Sequence, residues 1–215
     1  MQTSVEEVLV KSRARVKAHG EVFTPRRMVD QMLDLVDDDL RFVDKTFLEP
    51  AAGDGNFLVA ILQRKLRAIE QQLGRDLFGR EALFAIASIY GIEKLEDNHQ
   101  DSKAAMLEEF VRFHARHDVP CGPGTEQMRA ATFLVDSNVI CGNTLTGLDW
   151  LGEEITFSWW IRDESNPGTV MREPFTFNSL RASAPAPDLF DYLIEPDRYV
   201  PCRIDHVHEE VRAGD

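Results

Sequence analysis

An α/β fold built on a doubly wound parallel sheet is what this sequence predicts, and two observations carry it. Short apolar strands alternate with amphipathic helices as far as about residue 162, and a glycine-rich turn joins the first strand to the helix that follows it. Alternation of this kind gives a parallel sheet whose ligand sits at the carboxyl ends of the strands.

The elements follow in order. Residues 4–18 carry helical spacing through Val5, Val8, Leu9 and Val16. Thr24 reads as an N-cap with Pro25 at the first helical position. The helix they open presents Met28, Val29, Met32, Leu33, Leu35 and Val36, then ends in Asp37, Asp38 and Asp39. Residues 46–49 form the first strand. A helix over 55–73 buries Phe57, Leu58, Ile61, Leu62, Leu66 and Ile69. A second apolar helix, 80–90, leads into a strand over 91–94. The helix over 97–117 offers Met106, Leu107, Phe110, Val111 and Phe113 to the core. After the loop 120–124 come a short helix through Phe133 and strands at 138–141 and 155–159.

Past residue 162 the texture changes. Six of the ten prolines fall there, so no further βαβ unit is legible, although 189–193 suggest one turn of helix. The chain therefore divides into N-terminal helices (1–45), a core (46–162) and an irregular proline-containing segment (163–215).

A length of 215 residues suits a single domain with a sizeable core. No apolar run approaches membrane-spanning length, and the N-terminus lacks the apolar stretch of a signal peptide. Cys121, Cys141 and Cys202 are odd in number and widely spaced, which points to reduced thiols in a cytoplasmic compartment. The net charge of −13 argues against a chain that holds DNA unaided, because phosphate contacts supply most non-specific affinity. Lys11, Arg13, Arg15, Lys17, Arg26 and Arg27 cluster near Thr24, and Arg64, Lys65 and Arg67 share the next long helix. Both groups read as solvated faces.

The chemistry concentrates in residues 47–58, FLEPAAGDGNFL. Glycines let the backbone approach a ligand closely, and the following helix offers unpaired amides. The full dinucleotide pattern G-x-G-x-x-G is absent. An acidic residue before the loop, Glu49, suits a ligand bearing positive charge more than a pyrophosphate. S-adenosylmethionine (SAM), with its sulfonium and ammonium, is such a ligand.

Taken in order, Gly20-Glu21-Val22-Phe23-Thr24-Pro25, the glycine loop and Tyr90-Gly91-Ile92-Glu93 resemble the SAM-binding half of adenine-N6 DNA methyltransferases of restriction-modification systems. The resemblance spans roughly residues 19–145. It implies a Rossmann-like class I SAM-dependent methyltransferase core, expected to be cut short of its last strands and of a target-recognition domain. It implies SAM as cofactor, with Glu93 on the ribose hydroxyls, as doubly wound folds also place such an acid. Glu49 then lies near the amino-acid moiety, with Thr24 and Pro25 closing over it. Ala51, Gly53 and Gly55 contribute backbone, Phe57 packs beneath, and Asp54 steadies the loop. Cys141-Gly142-Asn143 matches the third motif with Asn143 where the family generally has Asp; its carbonyl keeps an acceptor for the adenine amine.

The family's Asn-Pro-Pro-Tyr motif, which activates and stacks the target base, has no counterpart: no Asn-Pro-Pro occurs in the chain. Its register falls at Thr156-Phe157-Ser158-Trp159-Trp160, and Asn166-Pro167-Gly168 is the other place to look. Ser158, Trp159 and Asn166 are thus the catalytic candidates, set against strand packing for the tryptophans and a plain turn for Asn166. The histidine spacings match no zinc arrangement, so no metal is expected. Two functions follow. One is a DNA adenine-N6 methyltransferase, or a subunit of one in a restriction-modification or phage-related system. A protein partner would then supply target recognition and the missing catalytic motif, and DNA would be reached only through it. The other is a SAM-binding regulator or decoy without catalysis. Methyl transfer to a different substrate, with residues 158–160 lining an altered pocket, is a third.

Overall fold

The computed structural model describes residues 9–181 and 199–212. Three parallel strands, β1 (Phe47–Glu49), β2 (Ile89–Glu93) and β3 (Val139–Asn143), lie side by side in chain order. The short strand β4 (Leu148–Asp149) adds antiparallel to β3. Helices α4 (Asn56–Gln72) and α5 (Phe78–Ala87) connect β1 to β2. Helices α6 (Glu96–Arg116) and α7 (Glu126–Asn138) connect β2 to β3. The result is a mixed α/β structure with a βαβαβ unit at its centre, compatible with a Rossmann-like fold.

Local chemistry explains the helix ends. Ser12 caps α1 (Arg13–His19) by accepting from the Arg15 N–H at 3.2 Å, and Gly20 stops it in the left-handed conformation at φ 69°. Thr125 caps α7 through the Met128 N–H at 3.2 Å. Two expectations need correction here. The helix expected over 4–18 is helical from Arg13 among the described residues. Thr24 caps nothing: α2 (Arg26–Asp34) starts after an extended Pro25 that serves as cap without a side-chain bond. The helix also ends sooner than its apolar residues suggest. Val29 and Leu33 are buried while Met28, Met32 and Leu35 stay exposed, and the acidic run forms a separate turn of helix, α3 (Asp37–Leu40).

Side-chain alternation splits the parallel sheet into two faces. Ile89, Val139 and Phe47 join the large core built by α4 to α7, including Leu58, Leu62, Phe84, Phe110 and Leu134. Gly91 belongs to this face because a Cβ there would meet Leu58 at 3.0 Å. On the opposite face Tyr90 and Ile92 pack with Ile155, Phe157 and Phe177.

That second face carries the main correction to the predicted architecture. The strand expected over 155–159 does not extend the parallel sheet. It becomes β5 (Thr156–Arg162), paired antiparallel with β6 (Thr169–Thr176), whose far edge takes β7 (Cys202–Arg203). A hairpin thus covers a face where a doubly wound sheet carries helices. The Tyr90 hydroxyl donates to the Ser158 carbonyl at 2.8 Å, joining the two sheets. Strand β6, its proline notwithstanding, was not legible as a strand. Pro174 is tolerated because β7 pairs only with Thr169 and Val170, leaving an open edge beside it. The helix α8 (Phe177–Arg181) and a 3-10 segment, Ile204–Glu209, complete this end. Residues 189–193 lie outside the described residues.

One core group makes stability depend on pH. His114 is fully buried, and its Nδ1 lies 2.8 Å from the Phe110 carbonyl, which can only accept. Burial pushes its pKa below the ordinary histidine value, and the neighbouring His117 adds to this. Below the ordinary value of about 6.5, the unfolded chain binds a proton that the folded chain resists. Stability therefore falls as pH falls through that range, until the folded imidazole also charges. Urea midpoints should drop more steeply between about pH 7 and pH 5 in the native protein than in His114→Gln. Equal slopes would count against this assignment.

Candidate cofactor cleft

The cleft forms where β1, β2 and β3 end, as the fold rule requires. After Glu49 the chain makes a loop held by its own backbone: the Ala52 N–H donates to the Ile92 carbonyl and the Gly55 N–H to the Ala52 carbonyl, both at 2.9 Å. Gly53 (φ 57°) and Gly55 (φ 95°) take left-handed conformations. At Gly55 the need is also steric, because a Cβ would lie 2.9 Å from the Ser102 Cα on α6.

Glu93 locks the loop from below. One carboxylate oxygen accepts the Gly53 N–H and the other the Leu95 N–H, each at 2.8 Å. One side chain therefore fixes both the glycine loop and the entry to α6. Each oxygen retains a second lone pair for a ligand hydroxyl. Opposite, Asn143 accepts the Leu145 N–H at 3.0 Å through Oδ1, and the Thr144 hydroxyl donates to the Pro50 carbonyl across the gap. The open cleft holds about 530 Å³, lined by Phe23, Ala51, Gly53, Glu93, Leu95 and Asn143 among others. That volume falls within the range of small-molecule sites.

Not every residue singled out from the sequence reaches this space. Ala51, Gly53, Glu93 and Asn143 line it; Thr24, Pro25, Glu49 and Gly55 do not. Glu49 turns back to accept the Ala51 N–H at 3.0 Å, and burial raises its pKa more than that bond lowers it. Thr24 faces the start of α4, its carbonyl accepting from Asn56 Nδ2 at 3.4 Å. Asp54 is half-buried, with a pKa raised by burial and its carboxylate bonded to the Asn56 backbone N–H. Phe57 packs against the main core.

Several lining residues carry little sequence signal. Phe23 packs its ring 3.4 Å from where a Gly53 Cβ would stand. Glu21 is 9% exposed and Asn98 1%, and they bond to each other at 2.7 Å. Arg15 clamps Glu21 with two bonds, at 2.5 and 2.8 Å, and reaches Asp97 at 2.8 Å. The carboxylate of Glu21 is accordingly held below its ordinary range, chiefly by Arg15. Glu21 does sit inside the GEVFTP stretch, which was the only available pointer; Asn98 follows no apolar period.

Several of the clustered basic residues are engaged within the chain. Lys11 pairs with Asp97 at 2.9 Å and Asp101 at 2.6 Å, Arg26 with Asp30 at 3.2 Å, and Arg64 with Asp34 at 2.7 Å and Asp37 at 3.0 Å. They knit helices together and offer a phosphate backbone correspondingly little net charge.

Ser158, Trp159 and Asn166 do not approach the cleft. Ser158 is 1% exposed, and its hydroxyl accepts from Arg172 Nε at 2.7 Å. Trp159 stacks on Phe175 with ring centroids 4.2 Å apart, and the neighbouring Trp160 donates its indole N–H to Asn138 at 2.9 Å. The Asn166 carbonyl closes a turn with the Thr169 N–H at 2.8 Å.

A parallel sheet ending in a glycine loop, with an acid on the second strand, is a mixed α/β arrangement compatible with a Rossmann-like fold. The chain is similar to the Type II methyltransferase M.XhoI of Xanthomonas vasicola, with 27% identity over 118 residues, 54% of this chain. Those residues are 21% of that protein, so the chain spans about a fifth of its relative's length. No family model matches the sequence, and no solved structure matches it. Among the described residues no helix is long and apolar enough to cross a membrane.

Proposed function

We propose that this chain binds SAM in the cleft and forms the cofactor-holding part of an adenine-N6 DNA methyltransferase, with a partner supplying target recognition and activation of the target amine. One observation carries the reading: the Glu93 carboxylate is pinned by Gly53 and Leu95 beneath the glycine loop, across from Asn143. The remaining lone pairs of Glu93 suit ribose hydroxyls, the apolar flank of Phe23 and Leu95 suits an adenine ring, and glycine backbone permits close approach. Held by Gly53, Glu93 and Asn143, SAM would supply an electrophilic methyl group for transfer to the target nitrogen.

Calorimetry is the test. SAM or S-adenosylhomocysteine should bind, and Glu93→Ala should weaken binding by about 1–3 kcal/mol, roughly 5- to 150-fold, because buried hydroxyls lose their acceptor. Absence of binding by both compounds at about 1 mM, a threshold for very weak affinity, would remove the proposal.

The regulator reading is favoured by a separate observation: the chain has no Asn-Pro-Pro, and Ser158, Trp159 and Asn166 lie away from the cleft. A target amine whose lone pair is delocalised into the purine needs two acceptors for its protons. Losing one preorganised contact costs about 10²–10³ in rate. This chain alone, given labelled SAM and unmethylated DNA, should therefore produce almost no N6-methyladenine. Turnover that appears only on adding a second subunit would favour the split enzyme over the regulator. Isolated, the chain should bind duplex DNA weakly and lose it steeply with salt. Nanomolar, sequence-specific binding at physiological salt would contradict this.

A further inference from the structure

Beside the cleft, on the outer side of β3, three side chains from separate parts of the sequence converge. The ligand atoms of Glu96, His99 and Cys141 all lie within 4.8 Å of one another. Glu96 and His99 stand three apart at the start of α6 and so share one face of it. Cys141 comes up from β3 beneath them.

The protonation of His99 is dictated by its partner. Its Nε2 lies 2.8 Å from the Val139 carbonyl, which can only accept, so Nε2 carries the hydrogen. In the neutral ring Nδ1 is then the nitrogen that carries the lone pair. His99 is 7% exposed, and Nδ1 is buried with no hydrogen-bond partner. Glu96 stands 3.8 Å from it, too far for a hydrogen bond, and as a carboxylate has no proton to give. A buried acceptor left without a donor costs free energy, and such an atom calls for an occupant.

We propose that Glu96, His99 and Cys141 form a binding site for one divalent transition metal of the zinc class, with water in the fourth position. Nitrogen, thiolate and carboxylate donors together select this class over magnesium or calcium. The His99 ring is already oriented as metal-bound histidines are, its second N–H held by a backbone carbonyl. Around tetrahedral zinc the three ligand atoms would stand about 3.4–3.7 Å apart, given bonds near 2.0–2.3 Å. The inward movement needed is about 1 Å, and Glu96 can supply it, because it is exposed on the first turn of its helix. In the metal-free chain Cys141 is a free, buried thiol that bears a proton. On binding, that proton passes to solvent and the metal takes its place between sulfur and oxygen. The recess around the three residues also holds Asp149, Lys94 and Asp136, the last paired with Lys103 at 2.8 Å, and it leaves room for the water.

The site is mechanically coupled to the cleft. Glu96 follows closely on Glu93, and Cys141 lies two residues before Asn143, so a bound ion would clamp the ends of β2 and β3. The metal site does not depend on cofactor binding, so the two proposals fail separately.

Cobalt(II) titration of the purified chain is the test, followed by displacement with zinc. One equivalent should bind and produce both the visible bands of tetrahedral cobalt and a near-ultraviolet thiolate-to-cobalt charge-transfer band. Cys141→Ser should abolish the charge-transfer band. Glu96→Gln, an exposed change that leaves the core intact, should weaken binding at least about tenfold, the scale on which site-shell changes act. A second cluster, Glu126, His208 and Glu209, provides the control, since it has no sulfur. Cobalt bound without a charge-transfer band, or lost on Glu126→Gln but kept in Cys141→Ser, would overturn the proposal, as would no binding at all.

Discussion

Gly55→Ala should lower stability by about 2–5 kcal/mol, with two effects adding. A left-handed backbone costs a non-glycine residue about 1–2 kcal/mol. The new Cβ would also stand 2.9 Å from the Ser102 Cα, which is backbone and cannot rotate away. Moving it means shifting α6 against α4, an overpacking effect of about 1–3 kcal/mol. Gly152→Ala separates the two contributions, because Gly152 has φ 86° and nothing within 4 Å of a built Cβ. That control should show only the backbone cost. Chemical denaturation of both variants measures the difference; equal losses would eliminate the steric argument.

Lys65→Met should cost about 2–4 kcal/mol, a large effect for a change that shortens the side chain by one atom. Lys65 is fully buried on α4, and its Nζ donates to the carbonyls of Phe42, Val43 and Lys45 at 3.0, 2.9 and 2.7 Å. It also lies 5.1 Å from the Phe47 ring centroid. The side chain thereby fastens the turn after α3, which feeds directly into β1. Methionine fills the space and leaves these acceptors short of a donor. The opposing effect is relief from burying an ammonium, which burial pushes down to about 7. Proton loss near neutrality caps that relief, whereas several carbonyls lose their partner at once. A denaturation midpoint unchanged by Lys65→Met would show that the carbonyls find water instead.

Much of the first half of the fold can be read from residue patterns. Strand β1, the glycine loop and α4 fall within a residue of their expected bounds, because an apolar strand, glycines and a helical period follow one another without overlap. Boundaries fail where apolar residues continue across an element. Ile89 and Tyr90 prolong the period of α5, yet they belong to β2 because Phe47 and Leu48 pair with them. Likewise α7 runs on to Asn138, whose side chain is held by the Ala87 carbonyl at 3.0 Å and by the Trp160 indole.

What the sequence determined by itself is local: a strand–glycine–helix turn, an acid at the end of the second strand, and a chain lacking Asn-Pro-Pro. Each depends on neighbours in the chain or on backbone geometry that particular residues demand. What only the tertiary structure decided is long-range. It sent β5 into an antiparallel hairpin over the Tyr90 face, since an apolar run does not announce its pairing partner. It turned Glu49 back onto its own loop and away from the cleft. It stacked Trp159 on Phe175. It set the lone pair of His99 beside Cys141. These outcomes depend on which surfaces meet on folding, and residues distant in the chain carry no mark of that meeting until packing brings them together.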